Sequence, residues 1–320
     1  MAVPVVKIRG VSKSFGPKLV LNNISLDINE GEIFGIIGQS GAGKTTLLEC
    51  LVGFLNINQG EIEYKSDDNV YNYVSIKKHA KELNKNIGFA MQHPSFYDKL
   101  TIKENLEYFA TLYNIPKQFI EARIKKLLDL VELTGDENTV AENLSGGMQK
   151  RLDIACSMIN DPKILILDEP TADLDPVLRK HIWDLIRRIN SLGKTIIVSS
   201  HFLEEMDALC SRIAIIANQT IAHVGTTEDL RRLYPYTSEI LVCTATQDYQ
   251  NLASRLKGLP IAKIGVRGNK MVIYARDSEL VLRQLVKLLD ERKEKILELE
   301  VQRPSLDDVF AAIVQHKVQA

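Results

Sequence analysis

The chain has 320 residues, enough for a full α/β domain and a smaller second one at roughly 100–200 residues per domain, and its 45% hydrophobic and 25% charged content is that of a globular protein, not a disordered or fibrous one. The 40 basic and 41 acidic side chains nearly cancel, so no global field recruits nucleic acid or an anionic membrane. Cys50, Cys156, Cys210 and Cys243 are scattered, with no CxxC pair and no ligand-like spacing to a histidine, which fits a reducing, cytoplasmic setting.

Met1 to Gly10 lacks a basic n-region, a long apolar run and a small-residue cleavage site, and reads as a first strand. Val5–Arg9, Leu19–Ile28 and Glu32–Ile37 follow as strands, the last leading through a glycine-rich turn into a helix over Thr45–Leu55. Ser66–Asn86 is polar and reads as a surface excursion before a strand at Ile87–Met91. From Thr101 to Leu133, two amphipathic helices broken at Pro116 place Leu106, Phe109 and Leu112, then Ile120, Ile124, Leu127 and Leu128, on apolar faces.

Next come a helix over Leu144–Asn160, a buried-type strand Ile164–Leu167, a helix Pro176–Ser191, a strand Thr195–Ser199 and short strands at Ile213–Ala217 and Thr220–His223. Strands alternating with helices predict a parallel sheet covered on both faces. Beyond a boundary near residue 230 the pattern becomes strand Glu239–Cys243, helix Tyr249–Lys257, strands Ala262–Val266 and Lys270–Tyr274, helix Ser278–Leu289, strand Lys295–Val301 and a last helix from Ser305. This βαββαβ order predicts a small α+β domain of ferredoxin-like type over 231–320, beside a nucleotide-binding domain over 1–230. Apolar runs such as Ile33–Gly38 fall far short of the roughly 20 residues that span a bilayer, so any work at a membrane is done from outside it.

Gly38-Gln39-Ser40-Gly41-Ala42-Gly43-Lys44-Thr45 fits the phosphate-binding loop GxxxxGK[ST] between a strand and a helix. Glycines let backbone N–H groups turn around phosphates, and the helix start adds about half a positive charge. Lys44 is placed on the β- and γ-phosphates and Thr45 on Mg²⁺, with Thr46 beside it in the nucleotide-binding set. The strand Ile164–Leu167 ends in Asp168 and Glu169, whose side chains point in different directions. Asp168 is therefore assigned to Mg²⁺ through water and Glu169 to the general base.

Leu144-Ser145-Gly146-Gly147-Met148-Gln149-Lys150-Arg151 resembles the signature sequence of the ATP-binding cassette family. Ser145 is a good N-cap, and Gly146 and Gly147 expose the first helical N–H groups to an anion. Around it the family's other motifs fall in order. Gln92 resembles the glutamine loop that senses Mg²⁺ and the membrane partner, and Ala172-Asp173-Leu174-Asp175 resembles the D-loop, with Asp175 in the nucleotide set. His201 resembles the switch histidine on the γ-phosphate, and Phe15 takes the place of the aromatic on adenine. Met148 replaces the commoner Gln of the signature, and Asp173 a small residue of the D-loop.

The resemblance spans the N-terminus to about Gly225 and implies an α/β fold: a P-loop core with a parallel sheet, an antiparallel β subdomain and a helical insertion. It implies ATP and Mg²⁺ as ligands, and a head-to-tail homodimer or pseudo-dimer with two ATPs between subunits. A separate transmembrane permease would hold the chain at the inner face of the membrane, near Pro94–Lys99, with Phe96 and Tyr97 as anchors. Arg303-Pro304-Ser305-Leu306-Asp307-Asp308-Val309-Phe310 is similar to the end of type-2 exporter subunits. The rivals are a soluble cassette acting on ribosomes or nucleic acid and an importer motor. Against the first stand the single cassette and the short, balanced basic clusters, so no nucleic-acid partner is expected; against the second stands a tail without a β-barrel pattern.

Overall fold

A computed structural model describes residues 3–66, 72–232 and 238–302. The chain divides into two compact units, Met1–Val224 and Gly225–Ala320.

The first unit opens on a long hairpin, β1 (Pro4–Phe15) and β2 (Lys18–Asn29), whose inward-facing Val6, Ile8, Ile24 and Ile28 are fully buried. β3 (Ile33–Ile37) leads through the phosphate-loop sequence into α1 (Lys44–Leu51), shorter at its end than the helix predicted. β4 (Gln59–Lys65), β5 (Tyr73–Ser75), α2 (Ile76–Leu83) and β6 (Ile87–Ala90) follow. The polar segment before Ile87 is thus no simple excursion. It supplies an edge strand to the antiparallel sheet β2-β1-β4-β5 and a helix whose Ile76 and Leu83 are buried in the core. Apolar residues spaced seven apart among lysines were too sparse to register as a helix face.

α3 (Ile102–Leu112) and α4 (Lys117–Val131) form the helical insertion, followed by α5 (Gly146–Met158). α3 starts at a reciprocal cap in which Thr101 accepts from the Glu104 N–H while Glu104 accepts from the Thr101 N–H. Its buried face is Ile102, Asn105, Leu106 and Ala110, whereas Leu112, predicted to face inward, is exposed at the helix end.

β7 (Ile164–Asp168), α6 (Pro176–Ser191), β8 (Thr195–Ser200), α7 (Leu203–Leu209), β9 (Arg212–Ala217) and β10 (Thr220–Gly225) complete the second sheet, in the order β10-β9-β3-β8-β7-β6. From β9 to β6 all neighbours pair in parallel. Every residue of β3, β7 and β8 is buried, as expected for central parallel strands covered on both faces. β6 comes close to α5 because Gly88 has no side chain. A Cβ there would lie 2.2 Å from the Ser157 carbonyl oxygen, so helix and strand touch backbone to backbone.

The second unit contains α8 (Thr227–Arg232), β11 (Ser238–Thr244), α9 (Tyr249–Arg255), β12 (Ile261–Arg267), β13 (Lys270–Ala275), α10 (Ser278–Glu291) and β14 (Ile296–Gln302). Its sheet runs β12-β13-β11-β14 with antiparallel neighbours throughout. Ile240 and Val242 of β11 pack with Ile273 of β13, Leu252 of α9 and Leu285 of α10 in a core of its own. The tail motif Arg303–Phe310 and the helix predicted from Ser305 lie outside the described residues.

Candidate functional site

β3 ends against the sheet's central strands, and the chain leaves it through a tight loop that α1 continues. The last loop glycine, Gly43, has φ 101°, and a Cβ there would sit 2.9 Å from Leu21 Cδ2 and 3.0 Å from the Val20 carbonyl oxygen. Any other residue would be strained and crowded at once. The geometry turns the start of α1 toward a cleft of about 790 Å³. Phe15, Ser40, Gly41, Gly43, Lys44, Thr45, Thr46, Gln92, Glu169 and His201 line it, drawing into one cavity residues from distant parts of the sequence. Gly38, Gln39 and Ala42 lie behind this lining: Lys44 Nζ donates to the Gly38 carbonyl at 2.9 Å and the Gln39 carbonyl at 3.4 Å.

The two acids diverge because Asp168 is the last residue of β7 and Glu169, just beyond it, leaves the extended backbone. Asp168 is 1% exposed; its Oδ1 accepts from the Ser199 hydroxyl, and its Oδ2 is buried without a protein hydrogen-bond partner. Glu169 turns the other way into the cleft. Its backbone is left-handed at φ 48°, a conformation that costs a non-glycine residue about 1–2 kcal/mol. The Glu169 N–H donating to Ser199 Oγ at 2.9 Å helps to hold it. Its Oε1 lies 3.2 Å from Lys44 Nζ and its Oε2 2.7 Å from His201 Nδ1. A buried carboxylate is thus clamped between a lysine and a histidine at the mouth of a phosphate-type loop.

The signature segment is elsewhere. Ser145 caps α5, accepting from the Met148 N–H at 3.4 Å, and both Ser145 and Gly146 are exposed. Gly147 is buried against Leu178 of α6. Asp175 caps α6, accepting from the Val177 and Leu178 N–H groups at 2.9 and 3.0 Å, with Pro176 at the first helical position. None of Ser145, Gly146, Gly147 and Asp175 lines the cleft. Asp173 has φ 62°, a left-handed position that aspartate tolerates better than most residues, which accounts for its presence in the D-loop-like turn.

A sequence profile described as ABC transporter matches residues 21–172, from β2 through the start of the D-loop-like turn. The Nod factor export ATP-binding protein I of Sinorhizobium fredii is 32% identical over 98% of this chain and 87% of its own length. The chain belongs to the ABC transporter ATPases. A daunorubicin resistance ATP-binding protein of Streptomyces coeruleorubidus is 30% identical over 97% of this chain and 96% of its own. Among solved structures, cbiO1 from Clostridium perfringens, part of the ABC transporter complex cbiONQ, superposes with a TM-score of 0.63 at 25% identity, covering 72% of this chain and 94% of its own.

The cassette's cleft also contains residues that sequence reasoning missed. Lys18, Leu19 and Val20 at the start of β2, and Gln219 in the turn before β10, complete its wall beside Phe15. Phe15 is 47% exposed, and Lys13 Nζ stands 4.9 Å from its ring centroid. The signal for these residues was weak, because a hairpin start and a β-turn become pocket wall only once strands distant in sequence are assembled.

Proposed function

We propose that this cassette is the ATP-hydrolysing subunit of an exporter of the type-2 branch, peripheral on the inner face of the membrane, and that it works as a head-to-tail pair bound to a separate transmembrane permease. The observation that carries the catalytic part is the placement of Glu169. It sits on the wall of the cleft that the phosphate loop opens into, with Lys44 and His201 on its two oxygens.

In this reading the loop Gly38–Thr46 holds the phosphates, with Lys44 on the β- and γ-oxygens. A γ-phosphate arriving at Lys44 competes with Glu169 for the ammonium and leaves the carboxylate free to take a proton from the attacking water. His201 keeps that carboxylate oriented and reaches the γ-phosphate from the same side. Phe15 offers its exposed ring to the adenine. Thr45, Gln92 and Asp168 would hold Mg²⁺, and the unpartnered Oδ2 of Asp168 fits that role. When bound, the ion neutralises charge developing on the phosphates.

Ser145, Gly146, Gly147 and Asp175 lie outside the cleft of their own subunit and on exposed helix starts, with Gly147 just behind, which supports a role on the nucleotide of a second subunit. Among the described residues no helix is long and apolar enough to cross a membrane; the membrane partner is assigned from the family role. The name of a relative that aligns over nearly the full length, a Nod factor export ATP-binding protein, favours export over import.

Ser145→Asp in a Glu169→Gln background tests the paired arrangement. Aspartate preserves the cap but sets a charge against the partner's γ-phosphate, a repulsion of about 4 kcal/mol at 4 Å and an effective dielectric of 20. In sedimentation velocity with saturating ATP, Glu169→Gln should run as a dimer and the double variant as a nucleotide-loaded monomer. A double variant that still dimerises contradicts the assignment.

A further inference from the structure

The signature helix and the loop that carries Gln92 are tied together by side chains that neither motif accounts for. Lys150, one turn into α5, donates from Nζ to the Gln92 carbonyl oxygen at 2.7 Å. Asp153, one turn further, is 1% exposed, and its Oδ1 accepts from both the N–H and the hydroxyl of Ser95 at 2.9 and 2.8 Å. Asp153 is thus a buried carboxylate whose described hydrogen bonds both come from the loop. Further along α5, the Ser157 carbonyl rests on Gly88 of β6, the strand from which the loop departs. The helix therefore has a backbone contact with the strand near its C-terminal end and two side-chain straps to the loop nearer its N-terminus. It is also held by Arg151 on the Glu132 carbonyl and Gln149 on the Ala141 carbonyl, both 3.2 Å.

We propose that Lys150 and Asp153 are positioning residues that link Gln92 of a subunit's own cleft to the α5 start that the same subunit presents to its partner's nucleotide. A shift of the loop when Gln92 engages nucleotide then swings Ser145 and Gly146 about the Gly88–Ser157 contact, and filling one site prepares the other. This link rests on the paired reading above and adds to it a physical route for communication between the two sites. Coupling between sites of this kind is worth about 5–150-fold in affinity.

The test uses the full chain and three variants: Asp153→Leu, the double variant Ser95→Ala/Lys150→Met, and the conservative Asp153→Asn, which keeps an oxygen acceptor for Ser95. Affinity for ATP is measured by calorimetry at concentrations where the chain is monomeric. ATP-driven dimerisation is measured by sedimentation in the Glu169→Gln background, and the Hill coefficient for ATP is taken from hydrolysis by chains with Glu169 intact. The strap predicts unchanged monomer affinity, dimerisation weakened by about tenfold or more in the first two variants, and a Hill coefficient falling toward one. Asp153→Asn should stay close to the parent. A merely structural role would lower the melting temperature and the maximal rate and leave the Hill coefficient in place, which overturns the proposal. Should Asp153→Leu fail to fold, the double variant decides, because it leaves Asp153 with the Ser95 N–H.

Equal dimerisation of the parent and the strap variants overturns the strap alone. A Glu169→Gln parent that stays monomeric with saturating ATP overturns the paired reading, and the strap with it.

Discussion

Replacing Lys44 with methionine keeps the aliphatic stem and removes the ammonium, so it separates the lysine's charge from its packing. The side chains of Lys44 and Glu169 are only 7% and 9% exposed and lie 3.2 Å apart. Removing one member of a buried pair costs about 3–5 kcal/mol because it strands the other charge. Here His201 still contacts Glu169, which points to the lower end, about 3 kcal/mol. For a domain of this size that is a fall in melting temperature of about 6–12 °C without nucleotide. Adding Glu169→Gln removes the stranded charge, and the double variant should recover to within about 1 kcal/mol of the parent. The affinity for ATP does not recover, because an ammonium about 4 Å from a phosphate at an effective dielectric of 20 contributes about 4 kcal/mol, roughly a thousandfold. Thermal unfolding without nucleotide and calorimetry with ATP read the two effects separately. A Lys44→Met chain as stable as the parent, with no recovery in the double variant, would refute the buried pair; unchanged ATP affinity would refute the phosphate assignment.

Asn105 is fully buried and donates to the Tyr97, Leu100 and Thr101 carbonyls while accepting from the Tyr97 N–H at 2.7 Å. Asn105→Ala should cost about 2–4 kcal/mol, and hydrogen exchange of residues 95–101 should rise sharply, while cleft residues keep their protection. Burial pushes the Cys50 thiol up to about 11, and Cys156, Cys210 and Cys243 are buried as well. Thiol labelling at pH 8 should therefore proceed at the unfolding rate, with only about a thousandth of Cys50 as thiolate; rapid labelling of the native chain would contradict that burial.

The phosphate loop was legible because it is contiguous: a single stretch from Gly38 to Thr46 holds its glycines, its lysine and its hydroxyls. Asp168 and Glu169 were legible for a related reason, since two acids directly after an apolar strand stand out in the sequence; that β7 runs on through Asp168 and that Glu169 takes a left-handed backbone were not. The parallel sheet followed from β3, β7 and β8, each an apolar run too short for a helix. What stayed hidden depends on contacts between distant segments. Lys18–Val20 and Gln219 face the cleft only because β2 and the β9–β10 turn meet there. Asn105 and Asp153 read locally as polar residues on helices, whereas in the fold they face inward and satisfy the backbone of one loop. Leu112 matched the apolar spacing of α3 but falls on its last turn, beyond the reach of the core.

The most direct test of the account is Glu169→Gln itself. The amide retains the size and a hydrogen-bonding oxygen of the side chain but cannot accept the proton of water, so binding and chemistry should part. We expect ATP affinity by calorimetry to be retained, while single-turnover hydrolysis falls by about 10²–10⁴-fold. Near-parental turnover with ATP bound would place the general base elsewhere and contradict the reading of this cleft.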